Sequence, residues 1–396
     1  MLTRRQFNRS LFAMAASSGV SLSLAATGSS NRLVLILLRG AMDGLSCCVP
    51  YGDPGYQRLR GELALASPGS EYGVLKLNGL FGLHPRLEHL HSLYETGQAS
   101  VVHAVASPYR SRSHFDGQDM LESGGAGVGA ARDGWLNRAL APLGGKVGDE
   151  AAIAMAGSMP LILQGPQSAT SWAPSRLPDA SDDTLRRLAD LYADDAFFAT
   201  RLQQALNAQD IAGEMGEGSR RRNRARQLRE TATAAAKFLT TDGGPSIAVI
   251  ESDGWDTHAN QGAANGQLAD QFAALDGAIE ALHTGLGDEW ERTAVVVATE
   301  FGRTAATNGT RGTDHGTASA ALLAGGAVAG GKVIADWPGL QSGDLYENRD
   351  LYPTSDLRSL FKTLLVGHIE IAPSYVEDRV FPDSQKARAI PGILRS

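Results

Sequence analysis

Residues 33–44 read LVLILLRGAMDG, six apolar residues followed directly by a polar loop that contains glycine. A continuous apolar run of this length is typical of a strand buried on both faces. Similar runs recur along the chain at 100–105, 151–156, 246–251, 293–299 and 320–324. Helix-like spacing of apolar residues separates them, for example over 272–282 and 357–365. The alternation predicts an α/β fold in which a mostly parallel sheet is sandwiched by helices.

One segment, 181–244, departs from this alternation. Through most of it there is no strand pattern, and Ala, Leu, Arg, Gln and Glu dominate. We therefore predict a helical insertion at 181–244, and an α/β core formed by 31–180 together with 245–396.

The composition excludes several classes of protein. Apolar residues make up 43% of the 396 residues and charged residues 20%, as in soluble globular proteins rather than disordered or multi-span membrane proteins. The net charge of −7 is spread along the chain, which excludes the basic face of a nucleic-acid binder. The two cysteines, Cys47 and Cys48, cannot build a disulfide framework, so we expect both to be packed at the end of an early strand.

The first 26 residues predict an export signal. Residues 3–7 read TRRQF, a twin-arginine pattern, and the apolar stretch that follows is too short and too polar to span a membrane. Ser23 and Ala25 are small residues of the kind found before a cleavage site, and the exact bond is left open. We expect the twin-arginine translocation machinery as a partner, a periplasmic or secreted location, and no membrane span in the mature chain.

Carboxylates and imidazoles follow several predicted strands, where a parallel sheet binds its ligands. The set is Asp43, Asp256, His258, Glu300 and His315. Carboxylates held together repel one another unless a cation or shared protons relieve them. Oxygen and nitrogen ligands without a thiolate suit Zn, Mn, Mg or Ca. The pattern predicts a divalent metal site, although Asp and His beside Gly also serve as turn formers.

A second polar cluster, RSRSHFDGQD at 110–119, follows the 100–105 run and opens a predicted helix. Ser113 with Asp116 three residues later has the spacing of a capping box. In a functional interpretation, Arg110 and Arg112 contact an oxyanion, Ser113 is the nucleophile and His114 is a general acid. Ser111 is the alternative nucleophile.

An ordered set of motifs resembles a bacterial exported family, catalogued as domain-of-unknown-function family 1501. The motifs are the twin-arginine start, LVLILLRGAMDGLSCCVPYGDPGY (33–56), FGLHPRL (81–87), VVHAVASPYRSRSHFDGQDMLESG (101–124), GWDTHANQ (254–261), VVVATEFGRT (295–304), GTDHGTAS (312–319) and DWPGL (336–340). The resemblance covers about residues 1–385. It implies a fold similar to the alkaline phosphatase and sulfatase superfamily, with a metal site at the strand ends.

The resemblance also suggests roles for individual residues. Asp43 is similar to the metal-binding Asp after the first strand, and Ser113 or Ser111 to the attacking residue at a helix start. Asp256 and His258 look like a metal-binding pair, and His315 is aligned with the final histidine. The late strand ends in Glu300, so its expected histidine is absent, which leaves room for one metal or none.

These inferences lead to two hypotheses. The first is an exported metal-dependent hydrolase of phosphate or sulfate esters, with Arg112, Asp314 and Arg303 as additional binding residues. The second is a non-catalytic periplasmic protein with a degenerate site, which binds an anionic small molecule, a glycan or a partner protein.

Overall fold

A computed structural model describes residues 30–143, 151–174, 182–192, 195, 197–204 and 224–395. The predicted export signal at 1–26 lies outside the described residues, as does part of 181–244. Among the residues that are described, no helix is both long and apolar enough to cross a membrane.

The main sheet contains nine strands, which are β1 (Arg32–Arg39), β5 (Ala99–Ala106), β6 (Ala152–Met155), β7 (Thr170–Ser171), β8 (Ile247–Asp253), β9 (Thr293–Thr299), β10 (Ser319–Ala324), β11 (Lys332–Ile334) and β12 (Ser355–Asp356). Their order across the sheet is β11-β5-β10-β9-β1-β8-β6-β7, with β12 also paired to β5. All pairings are parallel except those of β10, which runs antiparallel to both β9 and β5. The predicted mostly parallel sheet is confirmed.

Helices flank the sheet. The α-helices are Gly44–Cys47, Tyr56–Arg60, Glu88–Glu95, His114–Ser123, Trp135–Leu140, Asp182–Tyr192, Arg224–Thr240, Gln267–Leu286, Leu357–Gly367 and Pro373–Tyr375, with a further helical run at 197–204. Short 3₁₀ segments lie at Gly61–Leu63, Ala141–Leu143, Leu161–Leu163, Gly287–Arg292 and Ser342–Asp344, and a π segment at Val376–Val380. In β1, Leu33, Leu35 and Leu37 pack with the 135–140 and 357–367 helices in one core cluster. The intervening side chains of β1 are buried as well, so the strand is covered on both faces.

A second, three-stranded antiparallel sheet has the order β2-β4-β3, formed by Cys48–Val49, Gly82–Leu83 and Leu75–Lys76. Strands of two residues carry no periodic pattern, which is why the sequence did not predict them. Cys47 and Cys48 are free and buried. They lie in the 44–47 helix and β2 rather than at the end of β1, because the chain turns at Gly40 and leaves the main sheet.

The described residues of 174–215 form a compact unit of their own, which contains the Asp182–Tyr192 helix and the run at 197–204. The Arg224–Thr240 helix belongs to the main unit and packs along Gln267–Leu286.

The register of the central strands brings their carboxyl ends to one level. Leu38 in β1 pairs with Ser252 in β8 and with Thr299 in β9, so the following residues leave the sheet side by side. Because β10 runs antiparallel, the loop that precedes it reaches the same edge. The β1 chain turns at Gly40, where φ is +120° and a Cβ atom would lie 2.5 Å from the Asp256 amide nitrogen. Only glycine permits this approach of the β1 and β8 ends.

Candidate metal centre

Three histidine side chains converge on one carboxylate at this edge of the sheet. The Nε2 atoms of His114, His258 and His315 lie 3.4, 3.0 and 3.3 Å from the carboxylate oxygens of Asp256. The Nε2 atoms of His258 and His315 are 2.9 Å apart. Ligand atoms of His114, Asp256 and His315 all lie within 4.8 Å of one another. Three nitrogens and a carboxylate, from three separate segments, therefore meet at one place.

The opposite ring nitrogen of each histidine contacts an oxygen acceptor. Nδ1 of His114 lies 2.8 Å from Oε1 of Glu300, and Nδ1 of His258 lies 3.3 Å from Oδ1 of Asp314. Nδ1 of His315 lies 2.9 Å from the carbonyl oxygen of Arg112. A carbonyl or carboxylate oxygen can only accept, so each Nδ1 carries the proton. A ring that is neutral in this arrangement has its lone pair on Nε2, the atom that faces Asp256.

This arrangement fits a divalent metal ion. Two Nε2 lone pairs at 2.9 Å, both facing a carboxylate, repel one another unless a metal cation or a proton lies between them. Nε2 of His114 is buried and has no hydrogen-bond partner among the described residues. Imidazole nitrogen and carboxylate oxygen are ordinary ligands of zinc and related metals. His114, His258, His315 and Asp256 are the residues that would hold the ion.

The local sequence explains why His114 reaches this point. It is the first residue of the 114–123 helix, and its ring stacks on Phe301 with 5.0 Å between centroids. The helix can lie this close because residue 117 is glycine, where a Cβ atom would come within 2.8 Å of the Phe301 ring. The His315 ring meets His114 edge-on at 4.3 Å.

Asp256 is also held by a buried arginine. Nη1 of Arg303 donates to Asp256 at 2.7 Å, and Nε of Arg303 donates to the hydroxyl of Thr313 at 3.1 Å. Burial by itself would raise the pKa of Asp256, but the hydrogen bond and charge of Arg303, with His258 and His114, lower it. Asp256 therefore stays ionised and available as a ligand.

Asp43 lies in a different environment from the one that the sequence predicted. Its carboxylate is buried and accepts hydrogen bonds from Arg60, from Gln261 at 2.7 Å and from Ser46 at 2.8 Å. It also caps the 44–47 helix through the amide of Leu45. The structure thus engages Asp43 in a buried ion pair with Arg60 and not with the three imidazoles.

Glu300, another predicted ligand, contacts the site through His114. Its side chain is buried and accepts from the amide of Gly40 at 2.8 Å and from the hydroxyl of Thr299 at 2.8 Å. Asp314, predicted as a binding residue, contacts His258 and accepts from Asn308 at 3.0 Å. Both carboxylates orient histidines.

The predicted oxyanion cluster at 110–119 has other contacts. Arg110 donates to the backbone carbonyls of Ser107 and Tyr109, and Arg112 pairs with Glu347 and Asp350. Both guanidinium groups therefore have protein partners.

Ser113 does occupy the N-cap position, but its hydroxyl makes no capping hydrogen bond, so the predicted capping box is wrong. Tyr109 makes the hydrogen bonds at this helix start instead: its hydroxyl accepts from the Ser113 amide at 3.1 Å and donates to Asp116 at 3.0 Å. Sequence patterns do not indicate Tyr109, Gln261, Thr313 or Asp350, because isolated polar residues carry no spacing signal.

The chain belongs to the family described as "Protein of unknown function (DUF1501)", whose model matches residues 91–380. This match confirms the family resemblance of the sequence motifs. No curated protein matches the sequence.

Several solved structures are similar to this chain. They include Ps i-CgsB, with 12% identity, a TM-score of 0.41 and coverage of 91% of this chain and 77% of that one. The PsFucS1 sulfatase from Pseudoalteromonas sp. has 14% identity, a TM-score of 0.41 and coverage of 99% and 77%. The phosphonate monoester hydrolase of Agrobacterium radiobacter has 11% identity, a TM-score of 0.36 and coverage of 86% and 74%.

Proposed function

We propose that this protein is a metal-dependent hydrolase of phosphate or sulfate esters in which water is the nucleophile. The observation that carries the proposal is the convergence of three imidazole Nε2 atoms on the Asp256 carboxylate. A divalent ion held there would polarise an ester oxygen and lower the pKa of water towards neutrality.

The site is open on one side. The side chains of Asp256 and His258 are 42% and 45% exposed, whereas those of His114 and His315 are 25% exposed. His258 and Asp256 therefore form the side on which a substrate can approach, and His114 and His315 form the floor.

An anionic ester suits the start of the 114–123 helix. His114 is the first residue of this helix, and the Ser113 hydroxyl leaves the first-turn amides without a side-chain cap. Unpaired amides at a helix N-terminus, with the positive end of the helix dipole, stabilise a bound oxyanion. This end of the helix adjoins the three imidazoles, so one anion can meet both.

Water is preferred to Ser113 as the nucleophile. Among the described residues, the Ser113 hydroxyl has no hydrogen bond to a histidine or a carboxylate that could act as its general base. The exposed side of the Asp256 carboxylate, in contrast, is open to water.

The test begins with metal-free protein loaded separately with Zn²⁺, Mn²⁺, Mg²⁺ or Ca²⁺. Bound metal is measured by elemental analysis, and turnover is measured with 4-nitrophenyl phosphate, bis(4-nitrophenyl) phosphate and 4-nitrophenyl sulfate. We expect His258→Ala, His315→Ala and Asp256→Asn each to lose metal and turnover. His91→Ala, in the 88–95 helix, is the matched control because its Nε2 contacts the Lys76 carbonyl instead.

Two outcomes would overturn the proposal. Wild-type protein that binds none of the four ions has no metal centre. Protein that binds an ion but hydrolyses none of the esters is better explained as a non-catalytic binding protein for an anionic small molecule or glycan.

We also propose that the chain reaches the periplasm or the exterior by twin-arginine export, supported by Arg4, Arg5 and Phe7 in the TRRQF pattern. The double variant Arg4→Lys, Arg5→Lys should accumulate folded in the cytoplasm, as measured by fractionation. Unchanged export of that variant would contradict this.

A further inference from the structure

Arg112 has a backbone conformation that side-chain-bearing residues rarely adopt. Its φ is +60°, in the left-handed region, where steric clash of Cβ with the backbone costs on the order of 1 kcal/mol or more. The conformation determines the direction of the Arg112 carbonyl, which accepts from Nδ1 of His315 at 2.9 Å. A strained residue therefore supplies the hydrogen-bond acceptor of His315 Nδ1.

A buried carboxylate holds Arg112 in place. Nε and Nη2 of Arg112 lie 2.8 and 2.7 Å from Oδ2 of Asp350, whose side chain is fully buried. Nη2 also contacts Glu347 at 2.5 Å, and the guanidinium lies 5.9 Å from the centre of the Tyr346 ring. Two nitrogens on one buried oxygen fix the side chain, and with it the backbone from which the side chain extends.

Arg349 and Asp350 also contact the segment that carries His315. Oδ2 of Asp350 accepts from the hydroxyl of Thr317 at 2.8 Å, two residues after His315. Nη2 of Arg349 donates to the carbonyl of His315 at 2.9 Å. Asp350 therefore contacts Arg112 on one side of the histidine contact and, on the other, Thr317 in the segment that carries His315.

We propose that Asp350 and the left-handed backbone of Arg112 are positioning residues for His315. They hold the Arg112 carbonyl against Nδ1, which keeps the proton on Nδ1 and leaves the lone pair of Nε2 facing Asp256. That the lone pair binds a metal ion rests on the proposed function. The control of the His315 tautomer does not, because it is a property of the metal-free protein. Arg112 then acts through its carbonyl oxygen, and its guanidinium does not bind substrate.

Substitutions at residue 112 separate these roles. Glycine adopts positive φ freely, so Arg112→Gly can keep the carbonyl in place without the side chain. Arg112→Ala and Arg112→Val lack the tether and keep the strain, so both should relax away from the left-handed region. Arg311→Ala is the control, since Arg311 also has positive φ, at 57°, but its carbonyl accepts from the amide of Gln261 and not from a histidine.

The first measurement is the ¹⁵N chemical shifts of the His315 ring in metal-free protein, which report the tautomer. We expect the Nδ1–H form in wild type, Arg112→Gly and Arg311→Ala, and a shift towards mixed tautomers in Arg112→Ala and Arg112→Val. The second is the Kd for Co²⁺ by chelator competition. It should rise about 10- to 100-fold in Arg112→Ala, as for other residues that orient metal ligands, and change least in Arg112→Gly.

Asp350→Asn weakens the same tether from the side of the carboxylate. Circular dichroism establishes that each variant is folded. If Arg112→Gly and Arg112→Ala lose the Nδ1–H form equally, the guanidinium is the active part and the proposal is overturned. It is also overturned if Arg112→Ala and Arg112→Val keep the wild-type tautomer. Failure of the proposed function looks different, because the wild-type tautomer would then be intact in a protein that binds no metal.

Discussion

Nδ1 of His114 lies 2.8 Å from Oε1 of Glu300, whose side chain is 1% exposed. The contact joins the first residue of the 114–123 helix to the end of β9. Burial alone would raise the pKa of Glu300, but hydrogen bonds from His114, Gly40 and Thr299 lower it. The same hydrogen bond to Glu300 raises the pKa of His114. A buried negative charge is thus placed behind one imidazole and stabilises positive charge in front of it.

Replacing Glu300 by Gln should weaken metal binding without removing a ligand. The amide oxygen can still accept from His114, but the charge behind the ring is lost. We expect the Kd for Zn²⁺ to rise about 10- to 100-fold, and the pKa of His114 in metal-free protein to fall. Chelator competition and NMR titration measure the two effects. Glu251→Gln is the matched control, as Glu251 pairs with Arg39 at the same sheet edge. Equal behaviour of the two variants would contradict the role given to Glu300.

Asp43 should contribute to stability rather than to metal binding. It forms a fully buried ion pair with Arg60. Asp43→Asn leaves the Arg60 charge without a partner, which costs about 3–5 kcal/mol for a buried pair. We expect chemical denaturation to show a loss of that size, with unchanged metal content per folded molecule. The double variant Asp43→Asn, Arg60→Met should be less destabilised than the sum of the two single variants. Loss of metal at unchanged stability would instead restore Asp43 as a ligand.

The central strands could be predicted from the sequence because a strand buried on both faces has no polar side. The run at 293–299 coincides with β9, and the run at 33–38 lies one residue inside each end of β1. The polar residues that follow both strands do reach one edge, as parallel strands require. Strand direction was not predictable for β10, because an apolar run reads the same in either direction.

The assignment of individual side chains was harder. Asp43 and Asp256 each follow a strand, but Arg60 neutralises Asp43, and only tertiary structure brings that arginine to it. His114 was predicted as a general acid, since its position beside Ser113 gives no sign that its ring turns towards Asp256. Asp350 lies 238 residues from Arg112, a separation that no spacing argument spans.

Asp276 should make stability depend on pH. Its buried carboxylate accepts from the amides of His89 and Leu90, at the start of the 88–95 helix, at 2.8 and 2.9 Å. Burial raises its pKa from 3.8 to about 6, against these hydrogen bonds. The folded chain then holds the proton more tightly than the unfolded chain. Stability from this group is therefore greatest below pH 3.8 and is lost as the pH rises to about 6.

Asp276→Asn removes this dependence. Between pH 4 and pH 7, the unfolding free energy of wild type should fall by roughly 2–3 kcal/mol relative to that of the variant. Urea denaturation across that range measures it. Asp270→Asn, at an exposed position in the first turn of the 267–286 helix, is the matched control. A pH-independent difference for Asp276→Asn would show that its carboxyl titrates as in the unfolded chain.

Ser113 distinguishes water from serine as the nucleophile. Its hydroxyl makes no capping hydrogen bond. Ser113→Ala should therefore not lose the roughly 0.5–2 kcal/mol of stability that removal of a functional cap costs. Tyr109→Phe should instead lose about 1 kcal/mol, because the Tyr109 hydroxyl bonds to both the Ser113 amide and Asp116. Thermal denaturation compares these two variants.

Turnover decides the mechanism. Loss of a nucleophile lowers kcat by several orders of magnitude, whatever happens to stability. If water attacks the ester, Ser113→Gly and Ser111→Ala should each keep turnover within about tenfold of wild type, which is 1.4 kcal/mol in the barrier. The comparison is made at equal metal content, so that a change in loading is not read as a change in chemistry. Abolished turnover in Ser113→Gly, with wild-type melting temperature and metal content, would establish the covalent serine mechanism in place of water.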